Sequence, residues 1–228
     1  AMLKQRRAQQ NASQGSGARY SQFVAPRGGM SAFIGAIANQ LDSRRVSVRL
    51  NAPVQKISCE ANSWRLTVGD RNVQSLSVDG VILATPAAQS AKLLSDLDGP
   101  LGRDLASIGY GSCAIVSLGY RRDQIGHALN GFGVVVPLAE CRRILSASFS
   151  SIKYTGRAPD GHVQLRLFIG GACQAELLYI DDNHLLQIAR EEVGELLSIT
   201  GQPVMQQVMR RNQSMPQYHV GHIDLVDR

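Results

Sequence analysis

The sequence predicts an α+β fold, a mixed β-sheet with a long helix packed on it. Between Ser112 and Ile169 apolar residues recur at every second position, in short runs punctuated by Gly and Pro, the period of strands with one buried face. Between Asp182 and Ser198 the spacing becomes helical, with Leu185, Leu186, Ala189, Val193, Leu196 and Leu197 on one stripe. At 228 residues, 44% hydrophobic and 18% charged, the chain can bury a sizeable core, and disordered, collagen-like and coiled-coil classes are excluded.

Each element has its own local cause. Residues up to about Ala25 are rich in Gln, Asn, Ser and Gly and read as a linker or the remnant of a preceding region. Pro26-Arg27-Gly28-Gly29 is a glycine turn feeding an amphipathic helix with Met30, Phe33, Ile34, Ile37, Ala38 and Leu41 at helical spacing. Short strands follow at Val46–Leu50, at Val54–Cys59 and Trp64–Val68 as a hairpin, and at Val73–Val78. Val81-Ile82-Leu83-Ala84 is apolar throughout, as in a strand covered on both faces. Thr85 as N-cap and Pro86 at the first helical position open a helix carrying Ala88, Ala91 and Leu94, which Asp96–Gly102 breaks. Beyond lie strands with Ala114, Val116, Leu118 and Tyr120 in alternation, then Gly131–Val136, Ile144–Phe149 and Val163–Ile169. Asp181 or Asp182 caps the long helix, and Gly201 and Pro203 end it. Val204–Met209 reads as a last strand, and the stretch from Met215 leads toward another helix.

Charge and cysteine usage narrow the function. The net charge of +6 favours anionic partners, but the basic residues are scattered doublets such as Arg44-Arg45 and Arg142-Arg143, without interleaved aromatics, so a nucleic-acid partner is not expected. Cys59, Cys113, Cys141 and Cys173 form no CxxC pair and read as buried thiols in a reducing compartment. Neither a secretory signal nor an apolar run near the roughly 20 residues of a membrane span is present.

Few residues look chemical. Gly28-Gly29 before a helix is either an anion or cofactor contact at a helix N-terminus or a plain turn. In Val163–Ile169 the residues Gln164, Arg166 and Phe168 share a face opposite Val163, Leu165, Leu167 and Ile169. An aromatic beside an arginine suits a ligand wall, the ring stacking and the guanidinium pairing an acid, although on residues alone a second buried face under a helix is the stronger account. Gly170-Gly171 would let a group approach the backbone. His219 and His222 lie three apart without a third metal ligand, and Glu191-Glu192 fall on the exposed side of the long helix. No nucleophile–base arrangement emerges, and no catalytic residue is assigned.

Taken together, several motifs carry a resemblance. Phe23 with Gly28-Gly29-Met30, Asp79-Gly80-Val81-Ile82-Leu83-Ala84-Thr85-Pro86 and Gly131-Phe132-Gly133-Val134-Val135-Val136-Pro137 are followed by Phe149-Ser150-Ser151, Gly156-Arg157-Ala158-Pro159, Phe168-Ile169-Gly170-Gly171-Ala172 and Met215-Pro216-Gln217-Tyr218. In order and spacing they resemble the signatures of the oxygen-dependent protoporphyrinogen oxidase family, over roughly residues 23 to 222. The resemblance implies an FAD-dependent oxidase of haem biosynthesis, converting protoporphyrinogen IX or coproporphyrinogen III to the porphyrin with hydride passing to flavin and electrons to molecular oxygen. It implies FAD contacts at Gly28, Gly29 and Val54 and a porphyrinogen pocket lined by Val135 and Phe168; Arg166 as partner of a substrate propionate follows from its shared face with Phe168.

Two departures stand out. Arg211 occupies the position where the family commonly has a tryptophan, and the family's opening GxGxxG and closing glycine-rich flavin motif are absent. The expectation is therefore an internal fragment, with residues 1–25 a remnant, 26–98 a partial FAD-binding domain, 99–210 the substrate-binding domain and 211–228 a truncated return to the FAD domain. Such a fragment would not retain FAD and would be inactive alone. A different amine-oxidase-type flavoenzyme and a cofactor-free porphyrin-binding module are the alternatives. A cytoplasmic location is expected, with peripheral contact at the inner membrane face and the oligomeric state left open.

Overall fold

The computed structural model describes residues 24–41 and 43–228; most of the expected linker, with Phe23, lies outside them. The chain divides into two units, one holding the residues up to Gln40 and Ser112–Asn212, the other Leu41–Gly111 and Gln213–Arg228. The division falls after Gly111 rather than at residue 98, because the helix that starts at Gly99 packs on the helix before it.

The first unit begins with the glycine turn and α1 (Met30–Gln40). Gly29 N–H donates to Pro26 O at 2.9 Å, and Gly29 sits at φ +83°, a conformation glycine adopts without steric cost. The expected amphipathic helix forms, yet none of its residues is buried, and Met30, Phe33, Ile34 and Ile37 stand exposed.

The second unit contains an antiparallel sheet ordered β1 (Val54–Cys59), β2 (Trp64–Val68), β3 (Gln74–Val78), followed by α2 (Ala87–Leu94) and α3 (Gly99–Ala106). Ile57, Val68 and Ala91 are its buried apolar residues. Two expected strands do not form. Val46–Leu50 and Val81–Ala84 are irregular, and Ile82 is 94% exposed; apolar composition alone makes no strand without a neighbouring ladder to satisfy its backbone groups. Pro86 rather than Thr85 stands at the N-cap of α2, and the Thr85 hydroxyl instead meets Ser90 Oγ at 2.8 Å. The expected break at Asp96–Gly102 is mostly a second helix start, since an Asp98 carboxylate oxygen accepts the Leu101 N–H at 2.9 Å and caps α3.

The first unit resumes in a five-stranded sheet built from β4 (Tyr110–Arg121), β5 (Gly133–Val135), β6 (Ser146–Phe149), β7 (His162–Gly170) and β8 (Met205–Pro216), in the order β5-β6-β7-β4-β8. A one-turn helix α4 (Ser150–Lys153) follows β6, α5 (Asp182–Leu197) precedes β8, and α6 (His222–Val226), of the second unit, ends the described elements. The ladders β4–β7, β6–β7 and β5–β6 are antiparallel. On one face Ala114, Val116, Leu118 and Tyr120 of β4, Val163, Leu165, Leu167 and Ile169 of β7, and Ala147 and Phe149 of β6 are buried. Leu185, Ile188, Ala189, Val193 and Leu197 of α5 complete this core, which is the α+β packing expected from the two hydrophobic periods.

Hydrogen bonds and ion pairs fix the helix at both ends and along its side. The Asp181 carboxylate accepts the His184 N–H at 3.1 Å, and this backbone bond with the His184 ring holds its carboxyl below the usual range. The helix closes at Ser198 in the left-handed region, three residues before Gly201. Glu192, expected on the exposed side with Glu191, is buried; it lies one helical stripe from Leu185 and Ala189 and turns into the sheet. Its carboxylate accepts from Arg142 Nη1 at 3.1 Å and from the Arg143 backbone N–H at 3.1 Å, which compensates its burial. Outside it, Arg143 Nη2 bonds Glu191 at 2.7 Å and Arg142 Nη1 bonds Glu195 at 3.1 Å.

Three further expectations change. Only Cys113 is a buried thiol; Cys59, Cys141 and Cys173 are exposed, Cys59 because it is the last residue of β1, past the buried Ile57 on the same face, and Cys141 because it occupies a turn at φ 50°. β8 runs well past Met209 to Pro216. α6 begins at His222, so His219 is not on its face but accepts the His222 N–H through its backbone oxygen at 3.0 Å.

Gly170 and Gly171 serve packing. Gly170 has φ +97°, and a Cβ there would lie 2.7 to 2.9 Å from three atoms of the Leu178 side chain. Gly170→Ala is therefore expected to cost about 1–3 kcal/mol, read as a lowered thermal midpoint. The sidedness of β7 makes a sharper contrast. Leu165→Ala should lower unfolding free energy by about 2–5 kcal/mol, whereas Arg166→Gln, one residue on but facing outward, should stay within about 0.5 kcal/mol of the parent in urea titrations.

Candidate functional site

The face of the five-stranded sheet opposite the core is the candidate site, because strand alternation sends every polar or aromatic residue of β7 to it. Val163, Leu165, Leu167 and Ile169 turn inward, leaving Gln164, Arg166 and Phe168 outward. In-register partners in antiparallel ladders share a face, so the pairing defines rows across the sheet. One row runs Val135–Ser146–Phe168–Ile115, and the next runs Gly133–Ser148–Arg166–Ser117. Val135 and Phe168, far apart in sequence, thus lie two strands apart in one row, with Arg166 one pleat period away in the adjacent row.

The environments of these side chains differ. Val135 is 84% exposed, Phe168 is half-buried and Arg166 is exposed. Most of the other arginines on the sheet unit are engaged: Arg142 and Arg143 on Glu192, and Arg210 on the Leu178 and Ile180 carbonyls, each at 2.6 Å, and on Asp182. Arg166 pairs with no acid among the described residues and is exposed on this face. β8 borders this face closely, since Gly119 of β4 leaves only 3.2 Å between a would-be Cβ and Met205 Cβ. Cys113 also belongs to this side of β4, but burial pushes its thiol pKa up against the opposing influence of Arg211, so it is no ready nucleophile.

Ile115, Ser117, Ser146 and Ser148 were not among the residues singled out from the sequence. Alternation in β4 and β6 placed them opposite the core, but their neighbours across the ladder depend on register, which one strand alone does not encode.

The residues expected to touch FAD occupy different parts of the molecule. Gly28 and Gly29 stand in the first unit at the head of α1, whose first turn has no acidic residue. A Cβ on Gly29 would lie 3.4 Å from Arg157 Nη1, and Arg157 Nη2 donates to Pro26 O at 3.4 Å. Unhindered glycine backbone, helix N-terminal amides and a guanidinium form a donor set that fits a phosphate-bearing cofactor. Val54 is in the second unit, the first residue of β1, partly exposed and in register with Val68. Among the described residues there is no cluster of His, Cys, Asp or Glu that could hold a metal ion.

The chain is 29% identical over 220 residues to the coproporphyrinogen III oxidase of Bacillus subtilis (strain 168), covering 96% of this chain and 46% of that protein. It is 32% identical over 212 residues to the protoporphyrinogen oxidase of Bos taurus, covering 90% and 43%. The chain thus spans less than half the length of these curated relatives. A crystal structure from Exiguobacterium sp. 255-15, provisionally named a protoporphyrinogen oxidase, superposes with a TM-score of 0.75 at 26% identity over 91% of this chain and 44% of that one. Reduced UDP-galactopyranose mutase shares the fold alone, with a TM-score of 0.63 at 15% identity over 88% and 43%. With the profile of the flavin containing amine oxidoreductases matching residues 5–222, the chain belongs to that family.

Proposed function

We propose that the chain is part of an FAD-dependent oxidase that dehydrogenates a porphyrinogen, protoporphyrinogen IX or coproporphyrinogen III, to the porphyrin in haem biosynthesis. The observation that carries this is the pair of rows on the open sheet face, an apolar and aromatic row through Val135 and Phe168 beside a polar row through Arg166. A tetrapyrrole is a broad apolar macrocycle with carboxylates on its edge, and it matches such a surface in both respects. The names of the relatives supply the substrate class.

Residues 99–210 would bind the porphyrinogen, while 26–98 and 211–228 would belong to the cofactor side, although 26–40 cluster with the sheet unit. Gly28, Gly29 and Val54 would hold FAD, which supplies the hydride acceptor, with molecular oxygen the final electron acceptor. Val135 and Phe168 would support the macrocycle and Arg166 would pair a propionate. Ile115, Ser117, Ser146, Ser148, Gln164 and Phe168 include no carboxylate, imidazole or amine, so these residues would bind and orient rather than carry a proton. The exposed stripe on α1 suggests that the cofactor side needs further covering, and that this chain alone neither retains FAD nor turns over. A cytoplasmic location fits three exposed free thiols, and any membrane contact would be peripheral, as no helix among the described residues is long and apolar enough to cross a membrane.

The test uses protein expressed from the complete reading frame and supplied with FAD. Both porphyrinogens are offered under oxygen, and porphyrin fluorescence and hydrogen peroxide are followed together. Porphyrin should appear with peroxide, and Phe168→Ala should lower kcat/KM by about tenfold through lost ring support. Oxidation of an alkylamine with neither porphyrinogen consumed would overturn the assignment in favour of another amine-oxidase-type enzyme. A yellow, active preparation of the 228-residue chain would overturn the expectation that it is inert alone.

A further inference from the structure

We infer that Arg166 is a specificity-determining residue that tips the site toward a tetrapyrrole with a carboxylate on every ring, the coproporphyrinogen class, over the dicarboxylate class. This rests on the porphyrinogen assignment proposed above and extends it from substrate class to substrate choice.

The geometry begins with spacing. The largely apolar row Val135–Ser146–Phe168–Ile115, interrupted by one serine, crosses three strand intervals, about 14 Å, enough to underlie a macrocycle, and Arg166 lies about 6.7 Å from Phe168 along β7. A ring supported on Phe168 therefore extends its peripheral substituents over the Arg166 row. What Arg166 meets then depends on the substrate. Coproporphyrinogen III has a propionate on each pyrrole, so any ring edge over this row brings a carboxylate within reach. Protoporphyrinogen IX has propionates on two neighbouring pyrroles and vinyl groups on the other two, so only some orientations do so.

The remaining orientations are penalised as well as unrewarded. A vinyl group over Arg166 would strip water from a guanidinium that has no acid partner of its own among the described residues, leaving a partly desolvated cation unpaired. Discrimination thus has an attractive and a repulsive part. In the cross-strand positions beside Arg166, Ser148 and Ser117 supply hydroxyl donors on the same face and no competing carboxylate. Because Arg166 faces away from the core, exchanging it alters recognition without removing packing.

The measurement is equilibrium binding of the oxidised porphyrins to the full-length protein, followed by fluorescence. Coproporphyrin III serves as the tetracarboxylate and deuteroporphyrin IX as a soluble dicarboxylate. Wild-type protein should prefer coproporphyrin by about twofold, four carboxylate-bearing ring edges against two, and Arg166→Gln should weaken both porphyrins and remove that preference. Arg166→Lys should recover part of it, since charge returns without the planar fork. Added salt should weaken coproporphyrin binding more steeply in wild type than in Arg166→Gln. If both porphyrins bind, Phe168→Ala weakens both, and Arg166→Gln leaves their ratio unchanged, the role of Arg166 is overturned while the porphyrinogen assignment stands. If neither porphyrin binds, or Phe168→Ala changes nothing, the assignment itself fails and the inference with it.

Discussion

The packing of β7 against α5 is the constraint on which the rest of the sheet unit depends. Val163, Leu165, Leu167 and Ile169 are almost entirely removed from water beneath Leu185, Ala189 and Val193. Because side chains alternate strictly along a strand, burying that set forces Gln164, Arg166 and Phe168 outward, and a slip of one residue would place a guanidinium in the core. The outward face is therefore specified by the hydrophobic one. β4 and β6 follow the same rule on either side of β7, and their in-register ladders turn three separate alternations into continuous rows.

Keeping that register requires the helix to stay in place, and the charged clamp around Glu192 is suited to this. A buried carboxylate contributes little net stability against an apolar substitute, but it has strict geometric demands. Glu192 meets them with the Arg143 backbone N–H and two guanidinium groups from the segment leading into β6. That segment places β6 beside β7, so one charge ties the helix, the edge of the core and the strand that carries Ser146 and Ser148 into a single arrangement.

Much of this was legible in the sequence, and the failures share physical causes. The alternation in Ala114–Tyr120 and Val163–Ile169 and the stripe from Leu185 to Leu197 are dense enough that few other structures could bury them. Val81–Ala84 and Val46–Leu50 have strand composition but form no ladder, since pairing depends on a neighbour that a local window does not contain. Glu192 was misplaced because charge implies exposure until a partner distant in sequence is known, and Arg142 is fifty residues away. At the candidate site, the shared face of Arg166 and Phe168 could be read from spacing, whereas the alignment of Val135 with Phe168 required the register of two successive ladders. Among the described residues α5 covers the opposite side, while on this face Arg166 is exposed and Gln164 and Phe168 are half-buried.

This separation of faces also bears on how the fold persists as sequences diverge. UDP-galactopyranose mutase shares the fold at 15% identity. Identity that low cannot preserve individual side chains, but it can preserve which positions are apolar on the covered face, and that pattern is sufficient to rebuild the sheet. The outward positions carry no such burden. Ile115, Ser117, Val135, Arg166 and Phe168 can change with little effect on the core while the strands beneath keep their register.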